Sequence, residues 1–194
     1  MTQDQGGFIK SVKDGIVASI HGVGEITDAV VDTVSGSLVN AVKKTGGVGT
    51  ALTGSIADIV QGTIQGAAEV GGDLGSTAKG AVLGVLRGTK EVGGETLDTI
   101  SVTAGAVVKS TASVGGDLAV VTKGAIEGAI EGAKDIGVSA EDAASAAASG
   151  ALKAAGEVST TAVEQVRNVL TGTISGVKVV IKEPFKSDEG GDSD

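Results

Sequence analysis

The chain has no cysteine, tryptophan or tyrosine, and only one proline, one histidine and two phenylalanines in 194 residues. Each scarcity removes a class of function. Without cysteine there is no disulfide framework, no thiolate zinc site and no cysteine nucleophile. A single histidine, His21, argues against an imidazole-based metal centre. It also leaves the many Ser and Thr hydroxyls without a base to activate them. Aromatics at 1 % leave out the rings that usually dominate core energetics. Basic residues are in the minority, 15 against 24 acidic ones for a net charge of −9, which argues against nucleic acid as a partner. No stretch reaches the roughly 20 apolar residues of a membrane span. The opening MTQDQGGFIKSVKDG lacks the charged-then-apolar order of a signal peptide. The expected location is cytoplasmic, with a peripheral position on a membrane or inclusion left open.

What is abundant is glycine, 33 residues, and it is periodic. Val70-Gly71-Gly72, Val92-Gly93-Gly94 and Val114-Gly115-Gly116 are spaced 22 residues apart. That frame divides residues 4–179 into eight gapless units starting at Asp4, Ile26, Val48, Val70, Val92, Val114, Ile136 and Val158. Residues 1–3 form a leader and 180–194 an acidic Gly/Ser-rich tail, expected to be disordered. Position 17 of the unit is apolar throughout: Ile20, Val42, Ile64, Leu86, Val108, Ile130, Leu152 and Ile174. Position 13 repeats Ile16, Leu38, Val60, Val82, Ile126 and Leu170, with Ala104 and Ala148 in the remaining units.

Twenty-two is twice eleven, and eleven residues make three helical turns at about 3.67 residues per turn. On that wheel positions 1, 5, 9, 13 and 17 fan over about 130°, an amphipathic stripe. Basic residues line one border of the stripe, with Lys79, Lys90, Lys123 and Lys134 the clearest members. Acids such as Asp73, Glu95 and Asp117 lie beyond the other. Glycines recur in small-xxx-small spacing, with Gly62, Gly84, Gly124, Gly128, Gly132 and Gly172 as candidates for close helix packing.

Three architectures compete. Long helices run through several units, or each Val-Gly-Gly is a turn and each unit a short helix of a bundle, or each unit is one coil of a β-solenoid. The abundance of Gly and β-branched residues lowers helix propensity. The Ala-rich stretch 136–157, and the acids Asp32, Asp98, Asp142 and Glu164 at positions that a β-solenoid would turn inward, nevertheless favour helix. The expected fold is therefore all-α, built from eight 22-residue amphipathic helical repeats forming long helices or a bundle, with the β-solenoid as the alternative.

Segments such as Arg87-Gly88-Thr89-Lys90-Glu91-Val92 and Lys123-Gly124-Ala125-Ile126-Glu127-Gly128 resemble the 11-residue repeats of synucleins, perilipins and group 3 late-embryogenesis-abundant proteins. The resemblance covers residues 4–179 as pattern and composition. It implies a chain that becomes helical on a lipid surface or on drying. Here glycine is more frequent, lysine sparser and the units net acidic, which weakens the case for anionic membranes.

No phosphate-loop motif is present: Gly71-Gly72-Asp73-Leu74-Gly75-Ser76 and Gly46-Gly47-Val48-Gly49 fit neither G-x-x-x-x-G-K-[ST] nor G-x-G-x-x-G. The pairs Glu127/Glu131 and Glu141/Asp142 read as solvated charge. The chain is expected to be no enzyme, with no cofactor, no metal, no small-molecule substrate and no nucleic acid. The expected function is coating of a lipid, membrane or granule surface through the apolar columns. The alternatives are a self-assembling structural protein and a desiccation or stress protectant.

Overall fold

Turn chemistry sets the element boundaries. The second residue of four consecutive units is a glycine in the left-handed region, Gly71 (φ 67°), Gly93 (φ 75°), Gly115 (φ 71°) and Gly137 (φ 74°). L side chains rarely adopt this conformation, and it ends helices. At Gly93 the amide of Gly94 donates to Thr89 O at 3.0 Å and that of Gly93 to Lys90 O at 3.3 Å, the two bonds of a Schellman ending. The same pair of bonds closes the helices before Gly71, Gly115 and Gly137. Two residues later a cap starts the next helix. Asp73 accepts the amide of Ser76 at 2.6 Å, Asp117 those of Ala119 and Val120, and Ser139 that of Asp142 at 3.0 Å. Val-Gly-Gly-Asp is thus a stop signal followed by a start signal. Asp73 and Asp117, placed by the wheel among the acids of a helical face, are N-caps that satisfy orphan backbone amides. Glu95 lies outside the described residues.

The computed structural model describes residues 2–22, 26–45, 50–94 and 97–181. Among these the chain forms eight α-helices: α1 (Thr2–Gly22), α2 (Ile26–Thr45), α3 (Thr50–Glu69), α4 (Leu74–Val92), α5 (Leu97–Ser113), α6 (Leu118–Ile136), α7 (Ala140–Val158) and α8 (Thr160–Leu170). The short-helix architecture is the one adopted. No helix runs through two units, and no β-solenoid coil forms among the described residues.

The helices form two layers. From α1 to α7 each helix packs most extensively on the one two places along the chain, so α1, α3, α5 and α7 make one layer and α2, α4, α6 and α8 the other. Glycine decides how closely they approach. A Cβ on Gly62 or Gly66 of α3 would stand 2.7 Å from Ile9 O or 2.9 Å from Lys13 O of α1. On Gly80 or Gly84 of α4 it would stand 2.7 Å from Thr27 O or 2.8 Å from Val31 O of α2. Both partners advance four residues together, so helices within a layer run parallel and consecutive helices antiparallel. This is an α-solenoid in which each helix contacts mainly its near neighbours.

Packing offsets the poor helix propensity of Gly, Val, Ile and Thr. Burying a Val, Leu or Ile side chain stabilises by about 1.5–3 kcal/mol, and Ile16, Leu38, Ile56, Ile59, Ile64, Leu86, Ile100 and Ile126 are all at most 1 % exposed. Several buried threonines donate back to the carbonyl one turn earlier, Thr63 to Ile59 O at 2.8 Å and Thr103 to Thr99 O at 2.6 Å. That bond is how a hydroxyl is tolerated inside a helix.

The eighth unit departs from the others. α8 ends at Leu170, and a two-residue hairpin follows, β1 (Thr173–Ile174) antiparallel to β2 (Val177–Lys178). Ser175 (φ 49°) and Gly176 (φ 80°) form its turn, the left-handed pair that a two-residue hairpin needs. The β-branched Thr173, Ile174 and Val177 around Ser-Gly favour strand over helix. Ile174 is therefore buried on a strand and not on a helical stripe. The hairpin covers α6 and α7 at the C-terminal end. Of the acidic tail, residues 182–194 lie outside the described residues.

Candidate interaction surface

The apolar columns are turned inward. Ile16, Leu38, Val42, Val60, Ile64, Val82, Leu86, Val108, Ile126 and Leu170 are buried between helices of this same chain. Ile20, Ile130 and Leu152 are half-buried and pack against the same clusters. As a group these residues form the core and not an open face. The stripe is wide enough to touch both layers, so folding the chain back on itself consumes it. The large exposed hydrophobics among the described residues are Leu97, Val120, Val158 and Val180, spread over α5, α6, α7 and the C-terminal segment.

The four lysines consequently border no exposed apolar face. Lys79 of α4 is half-buried and binds Glu131 of α6 at 2.7 Å. The hydrogen bond to that carboxylate raises its pKa above the ordinary lysine range. Lys123 lies 3.8 Å from Glu127 one turn along α6. Lys90 is exposed and shares a pocket with Arg87, Asp28, Glu131 and Asp135. Lys134 is exposed in the last turn of α6, where a cation complements the helix dipole.

The glycine columns hold their packing role with one exception. Gly62, Gly84, Gly124, Gly128 and Gly132 each press on the neighbouring helix of their own layer. Gly124 sits against Gly75 O and Gly128 against Lys79 O, while Gly132 faces Leu86. Gly172 does not pack: it is exposed ahead of β1, and a Cβ there would meet nothing within 4 Å. Gly66, Gly80, Gly88 and Gly150 make close approaches of the same kind. They stand at positions 11, 15 and 19 of their 22-residue units, as Gly124, Gly128 and Gly132 do.

Ion pairs follow the same geometry. Lys13 and Glu69 join α1 to α3, Arg87 and Asp32 join α4 to α2, Lys79 and Glu131 join α4 to α6, and Lys109 and Glu157 join α5 to α7. Lys13 is raised by its hydrogen bond to Glu69, and Glu157 lowered by its bond from Lys109. Asp73 is held below the usual carboxylate range by the Ser76 amide. Burial pushes Asp58 up.

The odd-numbered layer carries a groove of about 300 Å³ floored by Val102, Gly105 and Ala106 of α5. Thr53 and Ala57 of α3 form one wall, and Gly150, Lys153 and Ala154 of α7 the other. Its lining is mostly small and apolar. Among the described residues no group of three or more His, Cys, Asp or Glu is placed to hold a metal ion. No helix there is long and apolar enough to cross a membrane.

No family model matches the chain, and no curated protein matches it. A solved structure does: the crystal structure of a de novo designed helical repeat protein is similar, with a TM-score of 0.52, 20 % identity, and coverage of 87 % of this chain and 91 % of that one. At that identity the likeness is one of fold. It agrees with the two-layer helical repeat architecture.

Proposed function

We propose that the protein is a non-catalytic structural scaffold, a folded helical array whose outer helical faces are its working surfaces. One observation carries this reading: the position-13 and position-17 columns and the glycine columns are spent on packing helices of one chain together. A surface coat of the kind implied by the resemblance to 11-residue-repeat families needs those columns free. It would have to open the array and expose Ile64, Leu86 and Val108 before binding. A desiccation protectant needs a chain that stays unfolded when hydrated, whereas capped turns and buried apolar clusters along the array favour order in water.

The test is far-UV circular dichroism over a range of protein concentrations, with and without phosphatidylcholine vesicles containing or lacking phosphatidylserine. The scaffold reading expects strong helical signal without lipid, unchanged by vesicles or dilution, and cooperative loss on heating. Helix that forms only with vesicles would replace it with the surface-coat reading. Helix that grows with protein concentration would replace it with self-assembly.

A further inference from the structure

We propose that the seam between α3 and α5 is a flexing joint. The α1–α3 and α5–α7 parts of the odd-numbered layer swing about it, while α2, α4 and α6 form the spine.

From α1 to α7 there are five neighbouring pairs of helices within the two layers. Four share two features. A glycine of one helix lies against the backbone or side chains of the other, as Gly62 on α1, Gly84 on α2, Gly128 on α4 and Gly150 on Ser101 O of α5. A salt bridge also spans each of these pairs. Among the described residues the α3–α5 pair has neither. Gly54 of α3 meets nothing within 4 Å, and Gly105 of α5 faces Gly150 of α7 instead.

The groove of about 300 Å³ runs along this seam, with Thr53 and Ala57 of α3 as one wall, Val102 and Ala106 of α5 as its floor and α7 as the far wall. The buried residues divide here as well. One cluster is centred on α1 to α4 and the other on α4 to α8, with Val107 of α5 belonging to the first and Val108 to the second. The inner edge of the seam is therefore closed by apolar contact while its outer edge is vacant. In a close-packed array, a line with contact on one side and space on the other is where small rotations lose least contact. α7 is held on α5 by backbone approach, so the α3 wall is the one that moves relative to the groove floor.

The absence of native cysteine makes paired nitroxide labels clean reporters. Two label pairs each span two helix spacings, roughly 20 Å of lateral separation. Gly54→Cys with Gly156→Cys, on α3 and α7, crosses the seam. Asn40→Cys with Lys134→Cys, on α2 and α6, follows the spine. Double electron–electron resonance on the folded full-length protein is expected to give a distance distribution at least twofold wider for the first pair. Ala57→Leu with Ala106→Leu, which fills the groove, is expected to narrow that distribution toward the spine value. Equal widths for the two pairs overturn the joint, as does a wide distribution that groove filling leaves unchanged. Should the filled variant lose its helical circular dichroism, the unfilled comparison decides alone.

Discussion

The two ends of the array are held together by different cores. In the first, around α1 to α4, the buried residues are Val12, Ile16, Val30, Val34, Leu38, Ile56, Ile59, Val60 and Ile64 among others, with Ala78 and Ala81 the exceptions. In the second, around α4 to α8, alanine dominates: Ala143, Ala144, Ala147, Ala148, Ala151, Ala154 and Ala155 line α7 alone. The first core buries large β-branched side chains on helices of poor intrinsic propensity. The second uses the best helix former and buries little per residue. Each end is strong where the other is weak, so one helical repeat is stabilised by packing at one end and more by local preference at the other.

The sharpest break of that contrast is expected from paired core truncations. Ile64→Ala, at a site of 0 % exposure, should destabilise by about 2–5 kcal/mol. Ala148→Gly, equally buried, should lose about 1 kcal/mol, mostly from helix propensity. Urea midpoints at constant slope would measure both. Similar losses would mean that the two cores contribute alike.

Glycine offers the next contrast. Gly84→Val places its side chain against Val31 O and Val34 and is expected to destabilise by about 1–3 kcal/mol through overpacking. Gly54→Ala meets open space within the helix and should stabilise by up to about 1 kcal/mol. Opposite signs for two helical glycines of one repeat separate packing from composition.

Capping has a pH signature. Asp73→Ala should cost about 1 kcal/mol at neutral pH. The folded-state pKa of Asp73 is lowered by the Ser76 amide, so its contribution is complete above the unfolded value of about 3.9. It is lost as pH falls through the lower folded value. Asp73→Asn keeps a capping side chain and should remove that acid sensitivity. Thermal melts at neutral pH and near pH 3 check both variants.

Buried hydroxyls give an effect of the other sign. The Oγ1 atoms of Thr89, Thr111 and Thr122 are buried without a partner. Thr89→Val removes an unsatisfied group at constant shape and is expected to raise stability by about 1 kcal/mol, read as a rise in melting temperature. A fall would show that the hydroxyl is satisfied in solution.

Much of this was legible in the sequence. The 22-residue frame, the inward columns and most of the packing glycines follow from spacing alone, because helix–helix contact selects residues by size at fixed intervals. Three features were not. Asp73 and Asp117 fall on a wheel as surface acids, because a wheel has no means of showing that the helix has just ended. The hairpin at Thr173 to Lys178 keeps the column residue Ile174 apolar while changing the backbone beneath it, so periodicity persists where helix does not. An amphipathic stripe also looks the same whether it faces lipid, a partner or its own chain. Only the fold distinguishes these, through the turns that bring α2 back against α4 and α3 against α1.

Hydrogen exchange read by mass spectrometry on dilute, lipid-free protein tests the central claim most directly, that the stripe is buried within a single folded chain. Slow exchange is expected across the interiors of α3 to α7, interrupted at Gly71, Gly93, Gly115 and Gly137. Fast exchange throughout these helices, slowed only when vesicles are added, would contradict it.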